Sequence, residues 1–293
     1  MQIEVIGIVS PGDMGHVVGK VLREAGLKVI TCLADRSDRT KALAKVAGIQ
    51  DMPSYADLVI NADVIFSILV PAEAKAAAEQ IAKAMRSTKS SPLYVDFNAI
   101  SPATTQSVGQ VIKDVGGRFV DGSIIGPPPR TIGATRFYVS GPHASELEIL
   151  HEYGIDVIAM SERVGDASAL KMCYAALTKG LTALSTELLV AAQALGVGKA
   201  LEEEFRQSQS AMLVRMEKGL PSMPPKSRRW VGEMEEIADT FAAVGLTPHM
   251  LRGAADIYRF VGDTPLADRN PEDPGQPSLA EMVRQLAAHL EKK

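Results

Sequence analysis

Cysteine is scarce in this sequence: Cys32 and Cys173 are the only two in 293 residues. They lie far apart and show no metal-ligand spacing. That excludes a disulfide scaffold and a cysteine-based metal site, and it fits a reducing, cytoplasmic setting. Aromatic residues make up only 5%, with one tryptophan, and charge of neither sign dominates. A balance of 31 Lys and Arg against 35 Asp and Glu leaves a net charge of −4, so the basic footprint of a nucleic-acid binder is missing. No apolar run is long and charge-free enough to span a bilayer. The chain opens on Gln2-Ile3-Glu4-Val5-Ile6, a strand pattern rather than a signal peptide. What is present is 46% hydrophobic and 23% charged residues, a composition that folds, over a length that suits two domains.

Short apolar runs alternate with helix-period segments through the first half. Strands are expected at residues 3–9, 28–33, 63–69, 92–97, 118–121 and 136–140. Helices are expected at 13–25, 37–46, 72–85 and 101–115. This alternation specifies a doubly wound α/β fold of the Rossmann kind, a mostly parallel sheet covered on both faces. Ser101-Pro102 reads as a helix start, and Gly26 and Gly48 as helix stops. The rhythm changes near residue 160. Asp166 is placed to cap a proline-free helix reaching about Leu195, roughly 40 Å long and too long for a crossover. Helical patterns follow at 199–218, 230–244 and 248–260. A Pro/Asp/Gly-rich loop covers 262–277, and a last amphipathic helix covers 278–292. The expected organisation is a nucleotide-binding domain over 1–160 and an all-α domain over 161–293, joined by the long helix.

The first strand runs into Gly7-Ile8-Val9-Ser10-Pro11-Gly12-Asp13-Met14-Gly15 and then a helix, the setting that a dinucleotide fingerprint requires. Gly12 would let backbone approach a pyrophosphate, Gly15 would let helix pack on strand, and the helix N-terminus would favour the phosphate charge. Ser10 stands where the first glycine is usual. Ser10, Pro11, Gly12, Asp13 and Met14 are therefore candidate cofactor contacts. After the second strand come Asp35, Arg36, Ser37, Arg39 and Thr40. An acid here suits the ribose 2′-OH of NAD, and arginines suit the 2′-phosphate of NADP. The two arginines with Ser37 and Thr40 favour NADP, with Asp35 turned away to cap the next helix. Leu69, Val70 and Pro71, and then Asn98 and Ala99, sit at carboxyl ends of strands, where such sheets place ligands.

Several motifs in order resemble the β-hydroxyacid dehydrogenase superfamily, which includes 6-phosphogluconate dehydrogenase, and in particular its phosphogluconate dehydrogenase-like branch. They are Gly7 to Gly15, Val95-Asp96-Phe97-Asn98-Ala99-Ile100-Ser101-Pro102, Asp121-Gly122-Ser123-Ile124-Ile125-Gly126-Pro127, Gly165-Asp166-Ala167-Ser168-Ala169-Leu170-Lys171, and Ser227-Arg228-Arg229-Trp230-Val231-Gly232-Glu233-Met234. The resemblance implies an NAD(P)-dependent oxidoreductase acting on a small hydroxyacid-like alcohol or ketone, with the site in the cleft between the domains. It puts the catalytic lysine at Lys171. The helix start and a buried setting would tune that lysine toward neutrality, so that it can give or take a proton. Lys179, on the same helix, reads as an ordinary solvated lysine.

The substrate loop departs from the family. Ile125 and Pro127 replace a serine and a glycine, and three successive prolines remove backbone donors. A less polar or bulkier substrate follows from this. Ser123, Ile125, Gly126, Tyr174 and Trp230 are the candidate substrate residues. Tyr174 shares the helix face of Lys171 and takes the region where relatives carry asparagine. Trp230, the one tryptophan, reads also as a core anchor, the plainer of its two readings. Relatives commonly pair through the helical domain, which implies a homodimer. Two other readings stay open: an imine reductase, against which Lys171 counts, and a catalytically silent NADP-binding regulator.

Overall fold

We describe residues 2–270 and 275–290 of a computed structural model. The expected loop at 262–277 and last helix at 278–292 therefore lie partly outside the described residues. The chain divides into two compact units, Met1–Met172 and Cys173–Lys293. The sequence places a domain boundary at residue 160; the division in contacts falls inside the long helix, whose first turns are bonded to the sheet.

In the first unit the order is β1 (Val5–Val9), α1 (Gly15–Glu24), β2 (Lys28–Thr31), α2 (Asp38–Ala47), β3 (Gln50–Asp51), α3 (Tyr55–Asn61), β4 (Val64–Ser67), α4 (Ala74–Thr88), β5 (Leu93–Asp96), α5 (Pro102–Lys113), β6 (Arg118–Ile125), β7 (Arg136–Ser140) and β8 (Asp156–Ser161). The strands form one sheet in the order β3-β2-β1-β4-β5-β6-β7-β8. Every neighbouring pair is parallel except β6 with β7. The chain order reverses between β1 and β4, so the carboxyl ends of those strands flank the switch point where doubly wound sheets bind ligands.

The apolar strands bury both faces. One face carries Ile6, Ile8, Phe66, Val95 and Phe137 against α1. The other carries Val9, Ile65, Tyr94 and Phe119 against α4 and α5. Phe97 meets Phe66 and Phe137 edge-on, at 5.1 and 5.6 Å between ring centres. Each such pair contributes about 0.5–1.5 kcal/mol beyond its buried area. Gly19 of α1 faces this core: a Cβ there would stand 2.6 Å from Ile49 Cδ1 and 3.0 Å from Ile8 Cδ1.

Local signals set the helix ends. Ser37, Ser54 and Ser101 each accept a backbone N–H in the first turn of α2, α3 and α5. Ser37 is thus the cap of α2, and the expectation that Asp35 does this is corrected. Asp35 sits in a left-handed turn at φ 59°, two residues too early. Besides a 3₁₀ segment at Ala144–Tyr153, two strands and one α-helix of this unit escaped the sequence reading. β3 is two exposed residues, β8 is half-exposed at the sheet edge, and α3 is a helix of seven residues. Each is too short or too weakly patterned to show a period.

The second unit holds the rest of α6 (Asp166–Ala194), then α7 (Gly198–Ser208), α8 (Ser210–Gly219), α9 (Ser227–Ala243), α10 (His249–Gly262) and α11 (Leu279–Leu290). The single helix expected at 199–218 is broken at Gln209, which leaves helical backbone at φ −138° and ψ 40°. The preceding Ser208 hydroxyl bonds the Glu204 carbonyl, the local competition that weakens a helix end. Arg228 ties α9 to the end of α10 through Gly262 O at 3.0 Å and to the turn that follows through Asp268 at 2.8 Å.

Candidate active site

The glycine loop after β1 has the backbone a phosphate cradle requires. Ser10 adopts φ 63°, a left-handed conformation that glycine takes more readily, so the serine reproduces the fingerprint's turn with a side chain attached. Ser10 O accepts from Gly12 N at 2.7 Å. A Cβ on Gly12 would meet nothing within 4 Å, so its backbone faces open space. On Gly15 it would stand 3.1 Å from Ser10 O, which explains a glycine where the helix leaves the strand. Pro11 is buried in the loop, while Asp13 and Met14 are half-buried.

Beyond β2 a cavity of about 210 Å³ is lined by Ala34, Asp35, Arg36, Tyr55, Leu69 and Glu73, among others. Arg36 donates to the Tyr55 hydroxyl at 2.8 Å, and its buried Nε has no hydrogen-bond partner among the described residues. Arg39 pairs with Asp13 at 2.5 Å, linking this turn to the glycine loop. Ser37 Oγ accepts from Thr40 N at 3.2 Å. An orphaned buried guanidinium nitrogen beside an open cavity is what an anionic nucleotide group would satisfy. These residues fit a dinucleotide.

At the ends of β4 and β5, Asn98 is the hub. Its Oδ1 accepts from Leu69 N, and its Nδ2 donates to Ser67 Oγ and Asp96 Oδ2, both at 2.9 Å. Asn98 is 2% exposed, so its side chain fixes the two strand ends. Ala99 and Pro71 are half-buried and Val70 is exposed, which leaves them facing outward at this edge. Asp96, fully buried, has its carboxyl pushed up to about 7: burial is the main cause, Asp121 adds to it, and the Asn98 hydrogen bonds oppose it.

Lys171 lies in the second turn of α6, and its Nζ donates to Ile124 O near the carboxyl end of β6 at 2.6 Å. The expected cap of this helix is corrected. The Asp166 carboxylate turns to Arg163 Nε at 2.7 Å and Ser161 Oγ at 2.6 Å. The start of the helix is instead held from the sheet. Asp121 accepts from Gly165 N and Ser168 N, and Ser140 Oγ accepts from Ala167 N. Ser123 is buried, and its hydroxyl donates to Ala167 O at 2.7 Å. It is bound to the helix rather than presented to a substrate. Ile125 is also buried, and Gly126 is exposed at φ 132° in the turn toward β7.

In the helical unit, Trp230 meets Tyr258 edge-on at 5.3 Å, and Lys179 Nζ stands 5.5 Å from the indole centre. Lys179 is not a solvated lysine. Its side chain is 12% exposed and ion-paired with Glu233, because three packed helices close over it. Tyr258 donates to Lys179 O at 2.6 Å. Trp230 is thus part of a packed polar core, while Tyr174 is 48% exposed. Asp96, Asp121, Ser140, Ser168 and Tyr55 carry the site's polar framework and had no role in the sequence reading. The signal for the two acids is a charged residue in an otherwise apolar strand.

Comparison with known proteins agrees with this geometry. Residues 2–154 match the family described as the NAD binding domain of 6-phosphogluconate dehydrogenase, and residues 192–261 match a domain of unknown function, DUF1932. The chain belongs to this NAD-binding dehydrogenase family, within the class of oxidoreductases that join a Rossmann unit to a helical one. An uncharacterized 28.5 kDa protein of Methanothermus fervidus is 29% identical over 87% of this chain and 98% of its own length. A conserved protein of unknown function, described as structurally similar to 3-hydroxyacid dehydrogenases, is 31% identical. It matches with a TM-score of 0.64 over 88% of this chain and 97% of that one. Mycobacterium tuberculosis 3-hydroxyisobutyrate dehydrogenase, solved with L-serine, shares the fold: TM-score 0.69, 19% identity, 97% of this chain and 99% of that one. So does an imine reductase from Myxococcus stipitatus, with a TM-score of 0.54 at 18% identity, over 97% of this chain and all of the other.

Proposed function

We propose that this protein is an NADP-dependent oxidoreductase that interconverts a small hydroxyacid-like alcohol and its ketone, with Lys171 as the proton donor and acceptor. The observation that carries the reading is the lysine itself, held by Ile124 O at 2.6 Å at the carboxyl side of the sheet that also bears the glycine loop. A bound nicotinamide supplies or takes the hydride. Lys171 Nζ gives a proton to the substrate oxygen in reduction and removes it in oxidation. The retained lysine favours an oxygen substrate over an imine. Ile125 and Pro127, where the family carries serine and glycine, support a substrate less polar than the simplest hydroxyacids.

Arg36 and Arg39 support NADP over NAD. A 2′-phosphate reaching this turn would meet the orphaned Arg36 Nε and compete with Asp13 for Arg39. Titration with NADPH and NADH, followed by nicotinamide fluorescence, tests this. Tighter NADPH binding is expected, abolished in Arg36→Ala/Arg39→Ala. Tighter NADH binding would give the ribose to Asp35 and overturn the assignment, and binding of neither would count against a nicotinamide-dependent activity altogether. Against a panel of hydroxyacids and ketones, Lys171→Ala should lower kcat by about 10²–10⁴-fold. Unchanged turnover would remove the lysine from the mechanism.

The protein is also proposed to act as a homodimer. Tyr174, Leu177, Leu181, Leu184, Leu188, Ala191 and Leu195 recur at alternating steps of three and four along and just past the end of α6. Leu177, Leu184 and Leu195 are 62%, 56% and 77% exposed. A heptad seam about 32 Å long, half-buried at Leu181 and Leu188 and otherwise open to water, matches the same seam on a second copy.

A further inference from the structure

The first turns of α6 are fixed by a single buried carboxylate. Asp121 is fully buried in β6. Its Oδ2 accepts from Gly165 N at 2.9 Å, Ser168 N at 3.1 Å and Ser140 Oγ at 2.8 Å, and its Oδ1 accepts from Ser168 Oγ at 2.6 Å. The backbone N–H groups can only donate. Ser140 Oγ already accepts from Ala167 N at 3.1 Å, so its own hydrogen is free for Asp121. With the Ser168 hydrogen also aimed at Asp121, Thr105 Oγ1 donates to Ser168 Oγ at 2.7 Å. Four donors converge on this group, and among these partners only the Ser168 hydroxyl could accept instead, by turning its hydrogen to Thr105. The arrangement suits an acceptor-only carboxylate, although burial raises its pKa. Asp96 lies opposite in register on β5 and is the member of the pair better able to hold a proton.

We infer that Asp121 is the positioning residue for Lys171: by clamping Gly165 and Ser168 to β6 and orienting Ser140 onto Ala167, it sets where the lysine Nζ stands. Lys171 follows Ser168 by three residues, less than one helical turn, so a shift of the clamped turn moves the lysine with it. The clamp and the acceptor of the Lys171 Nζ bond lie on one strand, at Asp121 and Ile124, so strand and helix form a closed frame. This rests on Lys171 being the proton donor only in its consequence for turnover; the geometric part stands without it.

The test uses the full-length protein and reads the Lys171 ammonium directly by ¹⁵N–¹H correlation. Its signal is assigned by its loss in Lys171→Ala. In Asp121→Asn the amide oxygen can keep the two backbone bonds and that from Ser140, while the Ser168–Thr105 hydroxyl pair turns over to accept from the amide nitrogen. The signal should therefore persist. In Asp121→Ala it should broaden away, and kcat should fall by about 10²-fold while the NADPH Kd moves less than about threefold. A sharp, unshifted Lys171 signal in a folded Asp121→Ala protein overturns the inference. If that variant does not fold, Ser140→Ala/Ser168→Ala removes two of the four donors. The same broadening is then expected, and an unaltered signal is the contrary result. Should Lys171→Ala keep full turnover, the proton-donor reading fails, and the ammonium signal still decides the positioning.

Discussion

Two carboxylates meet side by side, Asp96 at the end of β5 and Asp121 in the middle of β6, and their partners give them different chemistry. Asp121 is surrounded by donors. Asp96 accepts from Asn98 N and Nδ2 and is held near 7 by burial. Its pKa is raised above the unfolded value of 3.8, so the folded state binds the extra proton between these values. Stability should therefore be highest below about pH 4 for this group and decline as pH rises toward 7. Asp96→Asn should flatten that decline, worth at most about 4 kcal/mol. One Asn98 bond is lost at every pH, so the informative quantity in chemical denaturation is the slope with pH. An unchanged slope would mean that Asp96 is already charged in the folded protein. Asp96 and Asp121 could be read as acids in apolar strands. Which of them collects donors could not, because Ser140, Gly165 and Ser168 reach Asp121 from 19 to 47 residues away.

At the scale of elements, the alternation of apolar strands with helix-period segments carried most of the Rossmann unit. The pattern was legible because buried parallel strands read as continuous apolar runs and amphipathic helices as period 3.6. β3, α3 and β8 were not legible for the opposite reason, being short, exposed or at an edge. Packing between elements adds constraints of its own. α1 lies on the sheet at Gly19, with no room for a methyl group before Ile49 and Ile8 yield. Gly19→Ala should destabilise by about 1–3 kcal/mol, since both contacts are side-chain tips that give at some cost. Thermal or urea unfolding measures this. A gain in stability, as expected where alanine simply favours helix, would show that α1 has room to lift. The break between α7 and α8 belongs to the same scale: no glycine or proline marks Gln209.

For the whole molecule, the helical unit shows how far periodicity misleads about solvent. Lys179 looks like a surface feature of an amphipathic helix and is instead closed into a core with Glu233, Trp230 and Tyr258. Leu177 and Leu184 of α6, and Leu195 just past its end, look like core and stand in water. Leu184→Glu should therefore leave the fold intact and halve the mass measured by light scattering, since a charge in the middle of a heptad seam is not tolerated. A wild-type protein that is already monomeric, or a variant that stays dimeric, would move the interface elsewhere. Among the described residues no helix is long and apolar enough to cross a membrane.

By itself the sequence determined the sheet-and-helix class, the glycine turn with Ser10 in the first glycine's place, and the lysine that begins the long helix. These are local: a period, a turn conformation and a motif each fit within about one helical turn or one strand. Only the tertiary structure decided which groups are bonded to which. Ser123 reads from sequence as a substrate residue and is bonded to α6; Asp166 reads as the cap of a helix start that Asp121 holds. Hydrogen-bond partners are chosen by whichever donors the fold brings within 3 Å. For a buried carboxylate, those donors come from segments that no sequence window contains.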